Sequence, residues 1–400
     1  MDLIFRVHLG SIIDSFLQCL ASPSMDVRAS AFRACILLLE RFFDSFDCDI
    51  FDEVLPGIMK AILGMLSCGH ECLARGALTH LIALVTVKPE VFRPFIDDVV
   101  YSLLKIAECD LLEEETKYAG VELLSTLAES VDEDNSMITN LPEHYKSRLI
   151  SVLMTMLQCI EDDPTWYNLD DSYGASAGKT KYFFLGTEFL DTVSTALGGH
   201  VVLPIIFEKS ISNLQALSWK RRYAGIQAFV AVSEGCFGVM VSCLEQVTSI
   251  ILAVFRDPHP RVRWVAIDSV IRLVQDIGAE FLAGYCTRFL PALAAALEDF
   301  DNPRVLEHAA SLIQTLSEHC GQDALHPCLE LIVRKLQRLL QSGKHLLQVK
   351  ALVCLASVVS SSQVMEFLIS QHQTHLEIDK SVESHIAEDI VYNLICPQLT

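Results

Sequence analysis

Basic residues are scarce. Lysine and arginine number 30 against 51 aspartates and glutamates in 400 residues, a formal net charge of −21. A surface so acidic repels phosphate backbones and anionic membranes, which argues against nucleic acid as a partner. It attracts basic partners at long range, in a salt-dependent way. Long apolar runs are also missing. None approaches eighteen residues: Val247–Phe255 meets Arg256 and Asp257 at once, and the start MDLIFRVHLGSIIDSF has no basic region followed by a small-residue cleavage site. Neither a membrane span nor a signal peptide is expected. The 14 cysteines form no metal-type pairs and mostly sit in helical apolar patterns, as Cys19, Cys35, Cys236 and Cys354 do. There they act as small hydrophobes, which suits a reducing compartment, cytosol or nucleus.

What the chain does have is a period. Ala31, Ala77, Ala119, Ala224, Ala266, Ala309 and Ala351 each lie a few residues into an apolar helical pattern, at steps of 46, 42, 105, 42, 43 and 42. A step of 105 is two periods plus about twenty residues, so one repeat carries an insertion. The grammar is clearest around Leu244–Ile277. A first helix ends at Asp257-Pro258-His259-Pro260, where the prolines break it. A second opens with Arg261-Val262-Arg263 and carries Val262, Ala266, Val270 and Leu273 on one face. Ser22-Pro23-Ser24 before Asp26-Val27-Arg28, and Asp301-Asn302-Pro303 before Arg304-Val305, repeat it. The expected fold is all-α: a right-handed α-solenoid of about eight HEAT-like helical hairpins over residues 1–363. Residues 364–400 lack the turn signals and are expected to form an irregular end with one short capping helix. Asp257 and Arg263 hold the spacing of an Asp–Arg ladder between neighbouring repeats.

The insertion is EDDPTWYNLDDSYGASAGKTKY, residues 161–182. Its acids Glu161, Asp162, Asp163, Asp170 and Asp171 are interleaved with Trp166, Tyr167 and Tyr173. A long loop in a tight solenoid is functional or unstructured more often than it is mere connection. Glu161, Asp162, Asp163, Trp166, Asp170 and Asp171 are therefore the candidate protein-binding residues, contacting Lys/Arg-rich segments by charge pairing and cation–π stacking. A solvated loop with no partner is the competing reading. Glu108–Asn135 is a second acid-rich stretch with Lys117 as its one base.

Other motifs carry less. Gly174 to Thr180 resembles a phosphate-binding loop but has three residues between its glycines where four are needed, and no preceding β-strand is expected. His319-Cys320 and His326 with Cys328 fall around a helix connection, so no metal or other cofactor is expected. Only His70-Glu71 supplies a His-Glu dyad, and no constellation supports catalysis. Lys220-Arg221-Arg222 fits a solvated helix start.

EDDPTWY, LDTVSTALGG (190–199) with VVLPII after it, WKRRYAGIQAFVAVSEGC (219–236), DPHPRVRW (257–264) and NPRVLEHAA (302–310) follow one another in an order that resembles the importin-β superfamily of nuclear transport receptors. The branch is that of importin five (importin-β three), with plant members nearest. The resemblance implies a HEAT superhelix that binds basic localisation segments of cargo, touches Phe-Gly nucleoporins and releases cargo to Ran-GTP, shuttling as a monomer between cytoplasm and nucleus. It also implies that this chain matches an internal stretch of such a receptor, without the N-terminal repeats that make the main Ran contacts. A HEAT scaffold without transport activity is the alternative.

Overall fold

The computed structural model describes residues 2–42, 49–132, 135–168, 174–319 and 325–360. Helices come in antiparallel pairs along the chain. They are α1 (Asp2–Leu20) with α2 (Met25–Phe42), α3 (Asp49–Ser67) with α4 (Glu71–Val87), α5 (Ile96–Ala107) with α6 (Glu114–Glu129), and α7 (Glu143–Met156) with α8 (Lys181–Leu197). Then follow α9 (Gly199–Leu214) with α10 (Trp219–Ala231), a one-turn α11 (Phe237–Met240), and α12 (Leu244–Val254) with α13 (Pro260–Ile277). The last pairs are α14 (Ala279–Ala296) with α15 (Pro303–His319) and α16 (Leu329–Leu340) with α17 (His345–Ser360). Eight pairs stand among the described residues, as the alanine period predicts. The predicted end at 364–400 lies outside them.

Contacts divide the chain into two compact units, residues 1–156 with 185–206 and residues 157–184 with 207–400. Within each unit the first helices of successive pairs pack on one another, and so do the second helices. This two-layer stacking is what makes a helical repeat stable, because each hairpin alone leaves an apolar face uncovered. The periodic alanines sit in the seam and are all buried, Ala224, Ala266, Ala309 and Ala351 completely. Gly120 and Gly225 directly follow the seam alanines Ala119 and Ala224, and Gly186 lies early in α8. A methyl on Gly186 would lie 2.7 Å from Met156 Cβ, closer than side chains pack, and one on Gly225 3.2 Å from the Ser210 carbonyl, a tight fit, so the two helices of each pair approach closely here.

Boundaries differ from expectation where a glycine turns the chain sharply. Gly198 (φ +76°) and Gly278 (φ +97°) end α8 and α13, so α9 and α14 begin at once. Read from the apolar pattern alone, those starts fall at Leu203 and Phe289. A two-residue antiparallel ladder, Val131–Asp132 with Asn135–Ser136, is a small departure from the strandless expectation. By composition Phe237–Val254 is long and apolar enough to cross a membrane. In the fold it is α11, a 3₁₀ turn and α12, with Leu244, Val247, Ile251 and Val254 buried.

Candidate protein-binding site

The described residues of the insertion, 161–168 and 174–182, form a strap in the second unit. Its ends are tied together: Thr180 donates to the Cys159 carbonyl (Oγ1, 2.7 Å), the Glu161 amide donates to Gly178 (2.7 Å), and Ile160 pairs with Lys179 in an antiparallel bridge. Asp163 caps the 3₁₀ turn Pro164–Tyr167, accepting from the Thr165 amide and hydroxyl at 2.8 Å each. Those two hydrogen bonds, the amide's first, hold its carboxyl below the usual carboxylate range. Trp166 then points inward, 2% exposed, edge-on to Trp264 of α13 with ring centroids 6.4 Å apart.

Two arginines hold the strap from below. Arg261 opens α13 and Arg304 opens α15, each after a proline and before a buried valine, 43 positions apart. Arg261 donates to the carbonyls of Ala177 (3.0 Å) and Asp163 (3.2 Å), and its guanidinium lies 5.0 Å from the Trp166 ring centroid. Arg304 donates to the carbonyls of Trp166 and Asn168, the latter at 2.6 Å. Burial depresses the pKa of Arg261, with Asp162 3.7 Å away as its nearest countercharge. Glycines make room for this grip. A methyl on Gly174 would lie 1.6 Å from Arg304 Nη2, and Gly178 (φ +81°) backs directly onto the Glu161 carbonyl. The sequence resembling a phosphate loop is thus the strap's return leg.

The expected Asp–Arg ladder between neighbouring repeats is present. Arg222 of α10 makes a two-pronged bond to Asp257 (2.6 and 2.9 Å) while Nη1 donates to the carbonyls of Ala216 and Leu217 in its own turn. Arg263 of α13 does the same one repeat on, to Asp299 and to the carbonyls of Asp257 and Pro258. Each guanidinium closes its own turn and bolts it to the next, the planar-fork use that lysine cannot copy. In the first unit Arg148 grips Glu108 in the same two-pronged way, at 2.9 and 2.7 Å.

A second row faces solvent. Glu234 lies just past α10, Asp276 in the last turn of α13 and Glu318 in the last turn of α15, 42 residues apart in each step and all exposed. These helices pack side by side, so equivalent positions recur about every 8–10 Å. A carboxylate at a helix C-terminus adds to the negative end of the helix dipole, an unfavourable arrangement of about 0.3–1 kcal/mol that a cation reverses. Ser233 donates to Asp276, and Gln314 and Ser357 donate to Glu318, fixing the carboxylates in place.

In the first unit a cavity of about 250 Å³ opens between α3 and α5, lined by Pro56, Met59, Leu63, Phe95, Val99 and Tyr101 among others. Its lining is mostly apolar, and it is large enough for one aromatic side chain.

Of the candidate residues, the structure brings Glu161, Asp162, Asp163 and Trp166 together on the strap, with Glu161 and Asp162 exposed. Trp166 is turned inward and its cation–π partner is internal. Asp170, Asp171 and Tyr173 lie outside the described residues. Sequence reasoning missed Arg261 and Arg304 as strap anchors. Their signal is the repeated Pro-Arg-Val, which puts a guanidinium where the buried face of a helix begins. It also missed the row Glu234, Asp276, Glu318, legible only once the alanine register is extended ten or so residues toward each helix end.

Paired helices, a seam of small residues and an arginine ladder stepping once per repeat define a HEAT-repeat solenoid. A family profile described as Importin repeat matches residues 109–204. Importin subunit beta-3 of Saccharomyces cerevisiae is 24% identical over 365 residues, 90% of this chain and 33% of that protein. The Probable importin-5 homolog of Dictyostelium discoideum is 22% identical over 242 residues, 60% of this chain and 22% of its own length. Solved structures of Kap121p superpose with a TM-score of 0.76 at 23% identity, covering 92% of this chain and 36% of Kap121p. Kap121p bound to RanGTP gives 0.70 at 22%, covering 90% and 38%. Residues 109–204 thus match the Importin repeat family, and most of the chain is similar to proteins of the importin-β (karyopherin) kind. The chain spans about a third of the length of the first of these relatives.

Proposed function

We propose that this chain is a cargo-gripping stretch of a nuclear import receptor, holding basic localisation segments along Glu234, Asp276 and Glu318. The in-register row of exposed carboxylates carries the reading, together with the family and the net charge of −21. An extended peptide advances about 3.3 Å per residue, so carboxylates about 8–10 Å apart suit lysines at every third position. Each exposed pair contributes about 0.5–1 kcal/mol, which makes a reversible, salt-sensitive grip. Glu161 and Asp162 on the strap add to the same field. The cavity between α3 and α5 has the size and lining for the phenylalanine of a Phe-Gly nucleoporin. Kap121p has been solved bound to Pho4p, to Nup53p and to RanGTP, and Ran-controlled release with shuttling between cytoplasm and nucleus is the matching proposal here.

Fluorescence anisotropy of a labelled Lys-x-x-Lys-x-x-Lys peptide, at low and high salt, tests the grip. Binding should weaken with salt, and Asp276→Lys should lower affinity about tenfold, the effect of about 1.4 kcal/mol. Equal affinity of the variant would remove the row from the account. No binding at low salt would favour a HEAT scaffold without transport activity. Excess GTP-locked Ran added to the loaded chain separates a switchable receptor segment from a passive holder.

A further inference from the structure

Near the strap's exit Lys179 runs its side chain into a slot between two aromatic rings. The amine lies 4.9 Å from the Phe183 ring centroid and 5.5 Å from that of Trp264. Among the described residues no carboxylate comes within ion-pair reach of it. The charged groups facing it from α13 are Asp268, Arg272 and Arg261. Asp268 is already committed, accepting from Arg272 at 2.9 Å and bonded to His308 of α15 at 3.0 Å. On the α10 side Phe183 packs edge-on to the buried Tyr223, and His308, with Glu307 beside it, stacks on Trp264. Among the described residues the slot thus holds a half-buried amine with aromatic walls, two guanidiniums nearby and no carboxylate paired to it.

We propose that Lys179 is an acylation site, taking a small acyl group from a thioester donor. The neutral amine attacks the thioester carbonyl; the C–N bond forms, the C–S bond breaks, a thiolate leaves, and the nitrogen's extra proton passes to solvent. The product is an uncharged amide in an apolar slot. Desolvation supports the chemistry: burial first, with Arg272 and Arg261 adding to it against Asp268, brings the amine down from 10.5 to about 8. A free amine is therefore present near neutral pH. Acylation removes a charge the slot does not neutralise, so it seats the strap more firmly over α13. This inference stands apart from the transport reading.

The test is incubation of the full chain with acetyl-coenzyme A across pH 6.5–10, with each lysine's acetylation rate read by mass spectrometry. Because a less basic amine is also a weaker nucleophile, the expected gain at pH 7.5 over exposed Lys60 and Lys344 is roughly tenfold. The Lys179 rate should level off above about pH 8. A Lys179 rate no greater than theirs, or one still climbing at pH 10, overturns the proposal. The acetyl mimic Lys179→Gln should slow hydrogen exchange at the Lys179-to-Ser176 and Glu161-to-Gly178 amide bonds. Faster exchange there would refute the seating effect while leaving the labelling result to decide the site.

Discussion

Replacing Arg304 by methionine keeps the stem's volume and removes only the guanidinium. Two strap carbonyls, those of Trp166 and Asn168, then lose their charged donors at a place where Arg304 itself is 6% exposed and Trp166 2%. Hydrogen bonds from a charged group contribute about 1.5–3 kcal/mol each, so the strap's middle should loosen by about 3 kcal/mol or more. The two legs stay joined at Cys159–Thr180 and Glu161–Gly178, and Arg261 still holds Asp163 and Ala177. The loss should be local. By native-state hydrogen exchange the amides of Trp166 and Asn168, bonded to Asp163 and Thr165, should exchange roughly a hundredfold faster, about 2.8 kcal/mol of opening. The amides of α13 should keep their protection. Unchanged strap exchange would show that Arg304 anchors nothing, and uniform acceleration across the unit would show that it is a core residue whose loss unfolds everything.

Two further outcomes follow from the same geometry. Gly174→Ala should reproduce the Arg304→Met exchange pattern, because its methyl would occupy the guanidinium's place; wild-type protection in this variant would contradict the close approach. His308 should make stability pH-dependent. Burial opposes its charge, but the Asp268 hydrogen bond and the Asp268 and Glu307 carboxylates outweigh it and raise its pKa above 6.5. Its contribution is then fully present below about 6.5 and is lost as pH rises through the folded value. Thermal melts over pH 5.5–9 should show that slope in the wild type and not in His308→Gln; parallel curves would remove His308 as its source.

Much of the fold was legible because a solenoid writes its contacts into a period. Buried Ala266 and Ala309, the prolines at the turns and the valines after them are local signals for a structure whose contacts are with near neighbours. The strap was legible as an interruption but not as a structure. Its anchors lie roughly a hundred or more residues away at Arg261 and Arg304, and nothing in EDDPTWY says that its tryptophan faces inward. Acidity and aromaticity suggested an outward contact; the buried ring of Trp166 against Arg261 spends that chemistry internally. The ladder was legible from Asp257 and Arg263, because each guanidinium reaches forward to the turn of the neighbouring repeat.

Nearest-neighbour stacking ties each helix pair only to the pairs beside it, so an array can unzip pair by pair. The strap breaks that rule, since a segment lying in sequence within the fourth pair clasps the opening turns of both α13 and α15, in the sixth and seventh. It acts as a splint. Those two pairs cannot separate by bending or fraying without also unseating Trp166 and releasing four backbone carbonyls. Flexing of the array is thereby pushed out of this stretch into the unsplinted repeats, and denaturation here should be one cooperative step where an unstrapped array would unzip.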